Sequence, residues 1–213
     1  MTKILLLTDI HGQFEIIPAF MELGPDMVLI AGDLTDCGAP EEARGMLDMI
    51  DVPCFVVPGN CDQKGIINII EESDAVNLHG TSLEIGSITI TGVGGSNPTP
   101  FGTPFELSEE EINELLEQAI ARGGQNVHNI LVVHAPPYGT LDEVGGANVG
   151  CRSIRSHLRE FDLVCCGHIH DHSGVMEEEG TVIVNPGPAA EGKCAVIILG
   201  EEAKDIQVDL ISL

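Results

Sequence analysis

The stretch Asp26-Met27-Val28-Leu29-Ile30-Ala31-Gly32-Asp33 narrows the choice of fold more than any other. Five consecutive apolar residues, 27–31, climb to a glycine and stop at a carboxylate. An unbroken apolar run of this length predicts a strand buried on both faces, the kind found inside an α/β sheet. Ligand sites in such sheets lie beyond the carboxyl ends of the strands. Gly32 lets the backbone turn and another group approach closely, so Asp33 stands where a ligand would bind. Four further apolar runs end the same way: Lys3–Thr8 before Asp9-Ile10-His11, Cys54–Val57 before Gly59-Asn60, Ile130–Val133 before His134, and Leu163–Cys166 before Gly167-His168-Ile169-His170.

The segments between these runs predict the architecture. Helices are expected over about 14–23, from Pro40 onward with Glu41 and Glu42 in its first turn, and over about 63–72. Residues 82–85 and 87–93 read as an antiparallel pair turning at Gly86. Ser108-Glu109-Glu110-Glu111 is a capping box, and Ile112, Leu115, Leu116, Ala119 and Ile120 follow at helical spacing. Residues 94–104 and the Gly-rich stretch to Gly150 read as loops. A helix carrying Arg152, Arg155 and Arg159 follows. The tail alternates as strands near 173–177, 181–185, 194–199 and 205–211. No period repeats and no linker divides the chain. The expectation is a single α/β domain over residues 1–213, a four-layer α/β/β/α sandwich of two mixed β-sheets flanked by helices.

Composition removes several classes of function. The formal charge of -25 repels nucleic acid and anionic membranes. Aromatic residues make up 3% of the chain, with no Trp, so little is available for base stacking. Apolar runs fall far short of the roughly 20 residues needed to span a bilayer. The run before Asp9 is too short for the core of a signal peptide. Seven cysteines without a C-x-x-C spacing form neither a disulfide framework nor a zinc finger, and the expected compartment is the reducing cytoplasm.

Asp9, His11, Asp33, Asn60, His134, His168 and His170 all fall just after buried strands. Taken singly, most have an ordinary explanation: an Asx turn at Asp9, a strand-to-loop junction at Asp33, a turn residue at Asn60. The pair His168 and His170 beside Gly167 points more directly to a metal. As a set of imidazoles, carboxylates and an amide, the seven exceed one ordinary site. They suit two metals sharing a carboxylate, an arrangement that clamps the attacking and leaving oxygens of a phosphoryl displacement.

In this order, Asp9/His11, Gly32-Asp33, Gly59-Asn60-Cys61-Asp62, His134 and Gly167-His168-Ile169-His170 resemble the blocks of the calcineurin-like metallophosphoesterase superfamily. The likeness covers residues 3 to about 199. The G-N-C-D block resembles the compact prokaryotic members. The resemblance implies that Asp9, His11, Asp33 and His170 hold one divalent ion. It places the second on Asp33, Asn60, His134 and His168, with Asp33 as the bridge. The implied cofactors are two divalent metals, manganese foremost, with iron, zinc or nickel as substitutes. The implied function is hydrolysis of a phosphodiester or phosphomonoester by attack of metal-bound hydroxide, with a small phosphorylated substrate and no nucleic-acid partner. Asp33, Asn60, His134 and Cys61 are the candidate catalytic positions.

Cys61 departs from the commoner pattern, which has His. Either the thiol packs, or it stands in for the leaving-group acid, a task for which it is less suited than imidazole at neutral pH. His172 is a candidate replacement. Asp62 is expected to orient a ligand or anchor its loop. Arg152 and Arg155 are candidate substrate-phosphate contacts, with surface ion pairing as the other reading, and Asn148 is a further candidate contact. Specificity is expected to lie in loops 94–106 and 136–150. The alternative function is a catalytically inactive scaffold of the same fold acting in protein–protein interaction, a class expected to have lost its ligands, whereas all seven are present here.

Overall fold

A computed structural model describes residues 1–213. In chain order the first half contains β1 (Thr2–Leu7), α1 (Ile17–Met21), β2 (Met27–Ala31), α2 (Arg44–Leu47), β3 (Cys54–Val57), α3 (Ile66–Glu71) and β4 (Val76–Asn77). The second half contains β5 (Thr81–Ile85), β6 (Ile88–Val93), α4 (Glu109–Arg122), β7 (His128–Val133), the short strands β8 (Glu143–Val144) and β9 (Ala147–Asn148), α5 (Arg152–Ser156) and β10 (Leu163–Cys165). It ends with β11 (Gly174–Glu178), β12 (Thr181–Asn185), β13 (Lys193–Leu199) and β14 (Ile206–Ser212).

One six-stranded sheet runs β14-β13-β1-β2-β3-β4 and the other β11-β12-β10-β7-β6-β5. Both are mixed. β1, β2, β3 and β4 are parallel, as are β6, β7, β10 and β12, while antiparallel strands close the first sheet at one edge, β13–β14, and the second at both, β5 and β11. The parallel centres leave the carboxyl ends of β1, β2, β3, β7 and β10 on one side of the molecule.

Strand alternation divides the core into three layers. Ile4 and Leu6 of β1 join Leu29, Phe55, Ile90, Ile130 and Val132 between the two sheets. Leu5 and Leu7 turn outward to Val28, Ile30 and Val56, where Ile17, Phe20, Met46, Ile66 and Ile70 of the helices cover them. On the far side, Leu131, Val133 and Val164 pack beneath Ile112 and Leu116 of α4 and Ile154 of α5. This is the four-layer order read from the sequence.

α4 begins at Ser108, whose hydroxyl accepts from the Glu111 amide at 3.2 Å while the Glu111 carboxylate accepts from the Ser108 amide at 2.8 Å. Three details differ from expectation, the first being that α5 ends at Ser156 and leaves Arg159 in a separate short 3-10 turn, Leu158–Glu160. β4 adds a two-residue strand beside β3. The Gly-rich stretch before Gly150 holds the β8–β9 hairpin, turned by Gly145 and Gly146, both at positive φ. No helix is long and apolar enough to cross a membrane.

Candidate metal centre

The loops that follow β1 and β2 run together. The amides of Asp9, Ile10, His11 and Gly12 donate to the carbonyls of Gly32, Asp33, Asp33 and Leu34 at 2.9–3.0 Å. The turn needed to aim side chains across this ledge forces positive φ. Asp9 (53°), His11 (45°), Asp33 (52°) and His168 (68°) all adopt it, a conformation uncommon for residues with a Cβ and concentrated at functional sites. Glycines provide the remaining room. A Cβ on Gly32 would lie 2.5 Å from His134 Nδ1, one on Gly59 would collide with the Asp33 carboxylate, and one on Gly167 with Thr8 and Asp9.

Each ligand candidate is fixed from behind. Asp9 Oδ2 accepts from Thr8 Oγ1 at 2.9 Å and from the His168 amide at 3.1 Å. Asp9 Oδ1 is buried and has no hydrogen-bond donor, yet lies 3.2 Å from His170 Nε2 and 3.8 Å from His11 Nε2. Asp33 Oδ1 accepts from the Cys61 amide at 2.8 Å, which leaves Oδ2 3.4 Å from His134 Nε2 and 3.8 Å from His11 Nε2. His134 Nδ1 lies 2.7 Å from the Ala31 carbonyl, so Nδ1 carries a proton and Nε2 faces Asn60 Oδ1 at 2.9 Å. The ring of His168 crosses that of His134 with centroids 5.0 Å apart. The ligating atoms of Asp9, His11 and His170 fall within 4.8 Å of one another, as do those of Asp9, Asp33 and His134. All seven residues singled out in the sequence therefore converge on one ledge.

The electrostatics are those of a site built for cations. Burial would raise the Asp33 carboxyl, but the neighbouring charge and hydrogen bond of His134, with His11 and the Cys61 amide, hold it below the usual carboxylate range. Burial would raise Asp9 too, but His170 and His134 outweigh it and lower the carboxyl. Burial disfavours charge on His134, yet Asp33 beside it lifts it to about 9. Burial, with His134 nearby, lowers His168 to about 4, so it is neutral and able to donate a lone pair. The residues fit a divalent metal: a buried carboxylate oxygen lacks a donor, and imidazole and carboxylate donors face one another across a few ångströms.

Around the ledge, Asp62 is fully buried and accepts from the amides of Leu34, Thr35 and Gly59 and from the Thr35 hydroxyl, so it ties the two ligand loops together. Cys61 Sγ lies within 4.8 Å of ligating atoms of His11 and Asp33. Burial first, and then the Asp33 charge, push its thiol far above the ordinary range, so it is protonated. Arg155 is committed elsewhere: its guanidinium pairs with Glu178 at 2.6 Å and Glu179 at 3.1 Å, the ion-pair reading rather than the substrate one. Arg152 is exposed and stacks on Tyr138, Cζ to ring centroid 3.8 Å. Asn148 Nδ2 donates to Asp142 at 2.6 Å. His172 does not belong to the clustered ligating groups.

Sequence reasoning passed over Thr8, which orients Asp9, and Thr103, whose hydroxyl accepts from Asn60 Nδ2 at 3.1 Å. Thr8 directly precedes a candidate ligand and was within reach. Thr103 lies 43 positions from its partner and no local pattern marks it.

Comparison with known proteins agrees with the geometry. The family model described as calcineurin-like phosphoesterase matches residues 2–172. An uncharacterised protein of Methanocaldococcus jannaschii is 36% identical over 201 residues, 87% of this chain and 88% of that one. A protein of Arcobacter nitrofigilis described as a probable glycerophosphodiester phosphodiesterase is 29% identical over 177 residues, 78% of this chain and 64% of that one. Among solved structures, a Thermus thermophilus protein superposes with a TM-score of 0.73 at 19% identity, covering 98% of both chains, a likeness of fold. With its ligand blocks gathered on one ledge, the chain belongs to the calcineurin-like phosphoesterase family and is a metal-dependent hydrolase of phosphoric esters.

Proposed function

We propose that the chain binds two divalent ions and hydrolyses a small phosphorylated substrate, a phosphodiester or a phosphomonoester. One observation carries the dinuclear reading: Asp33 Oδ2 lies between His11 and His134, at 3.8 and 3.4 Å, and those imidazoles belong to different ligand groups. In this reading Asp9, His11 and His170 would hold one ion and Asn60, His134 and His168 the other, with Asp33 available to both. When bound, two such ions supply a water activated at neutral pH and positive charge against the phosphoryl oxygens. Manganese suits a donor set of imidazole and carboxylate oxygen with no thiolate.

The chain's own residues set the geometry. Thr8 and the His168 amide fix one oxygen of Asp9 and leave the other for the ion. Ala31 holds the His134 ring so that Nε2 looks into the site. Thr103 holds the Asn60 amide so that Oδ1 does the same. Placement of this kind is what a phosphoryl displacement requires, since reacting atoms must be aligned before the barrier falls.

The test is a side-by-side assay of a phosphomonoester and a phosphodiester with manganese, nickel and zinc, together with a metal count. Two metals per chain and turnover of at least one ester are expected. Asp33→Asn or His168→Ala is expected to lower turnover by about a thousandfold. Full activity in either variant would sink the assignment.

A further inference from the structure

A cavity of about 490 Å³ opens beside the metal centre, and His168 and His170 form part of its wall. The rest is mostly apolar: Pro98, Pro100 and Phe101 from one loop, Val144 and Val149 from the β8–β9 hairpin and its exit, and Ile169 between the two histidines. Phe101 is 84% exposed, Val144 53% and Val149 39%. A large apolar side chain held open to water is costly unless something covers it. Three such side chains converging on one cavity form a binding surface rather than scattered exposure.

The exposure is built in. The Glu106 carboxylate accepts from Thr99 Oγ1 at 2.6 Å and from the amide and hydroxyl of Thr103 at 2.8 Å, so it clasps the turn that presents Phe101. Thr103 in turn contacts Asn60, and Phe105 N donates to the Asn60 carbonyl at 3.0 Å. Asn97 Nδ2 donates to the Val149 carbonyl at 3.0 Å and joins the two walls. The apolar wall is thus fixed in relation to a metal-centre residue.

Charge excludes other occupants. The chain has nine Lys and Arg, and none lines the cavity. Asp171 does, and it repels any second anionic group. A nucleoside polyphosphate would find no cation for its additional phosphates.

Resting on the phosphoesterase reading above, we infer that the cavity receives an uncharged, apolar arm of the ester, packed on Phe101, Val144 and Val149 while the phosphoryl group lies at the metal centre. The expected effect is on binding rather than turnover, so single-armed phosphonates serve as probes. Calorimetry on the manganese-loaded protein compares naphthylmethylphosphonate, methylphosphonate and 2-carboxyethylphosphonate. The naphthylmethyl probe is expected to bind about tenfold more tightly than the methyl one, and the carboxyethyl probe more weakly than either. Phe101→Ser and Val149→Ser are expected to remove most of the naphthylmethyl advantage and leave methylphosphonate affinity within about twofold. Equal affinities for the three probes, an advantage that survives both substitutions, or no binding of any probe would each overturn the inference. Loss of the phosphoesterase reading has its own signature: no hydrolysis of any ester by the same preparation, whatever the probes do.

Discussion

His11 and His170 turn their Nε2 atoms toward each other at 3.3 Å, although 159 residues separate them. Asp9 Oδ1 completes the group, 3.2 Å from His170. A shared cation would satisfy all three atoms at once, since each can offer it a lone pair. Metal binding is therefore expected to raise thermal stability. Manganese at a hundred times its dissociation constant contributes about 2.7 kcal/mol, and chelation removes it. His170→Ala takes the imidazole away from buried Asp9 and is expected to shrink the rise on adding manganese, measured against the variant's own metal-free curve. Thermal melts with manganese and with a chelator decide it: identical curves would mean that no ion binds.

The same stabilisation is expected to depend on pH with a definite sign. Asp33 holds the His134 imidazole up to about 9, well above its ordinary value. A group raised in the folded state stabilises fully below its unfolded pKa, and that contribution is lost as pH rises through the folded one. Metal-free protein thus loses the His134–Asp33 contribution between about pH 6.5 and 9. A metal on Nε2 replaces that proton, so binding releases it and tightens over the same interval. The gap in melting temperature between metal-bound and metal-free protein is expected to widen from pH 6.5 to 9. A gap that narrows would show that His134 is not a ligand.

Much of this was legible in the sequence because the signals are local. Buried strands read as apolar runs, and the ligands fall within a few residues of where those runs stop, as Asp33 does after β2. The α4 capping box is local in the same way. The β8–β9 hairpin, read only as loop, carried a local signal as well, since Gly145-Gly146 is the dipeptide that a two-residue turn with positive φ demands. The commitment of Arg155 was not legible, because Glu178 and Glu179 reach it from 23 and 24 positions away. Nor was the apolar cavity, since Phe101 and Val149 lie on separate loops that only the fold brings together.

Two glycines separate conformational freedom from steric need. Gly59 lies against Asp33, and a methyl group there would meet its carboxylate. Gly59→Ala is expected to destabilise the protein by about 1–3 kcal/mol and to weaken metal binding as Asp33 shifts. Gly45 lies within α2, without positive φ and with nothing near its missing methyl group. Gly45→Ala is expected to stabilise by about 0.5–1 kcal/mol, the helical preference for alanine. Chemical denaturation of both variants provides the comparison, and equal effects would contradict it.

Cys61 Sγ lies within 4.8 Å of ligating atoms of His11 and Asp33, close enough for its chemistry to bear on which esters are cleaved. Its amide serves Asp33, but its thiol, pushed up by burial and then by the Asp33 charge, is a weak proton donor at neutral pH. A leaving alkoxide needs a proton in the transition state, whereas a nitrophenolate leaves without one. The wild-type rate is therefore expected to fall steeply as the leaving group becomes more basic. An imidazole, with an ordinary pKa of about 6.5, is a better match to neutral-pH acid catalysis. Cys61→His is expected to raise turnover of an alkyl ester about tenfold or more and to change that of a nitrophenyl ester by less than about twofold. The measurement is the slope of log kcat/KM against leaving-group pKa for both proteins. A shallower slope in the variant places this residue beside the departing oxygen, and parallel slopes would leave Cys61 as a packing residue whose amide alone matters.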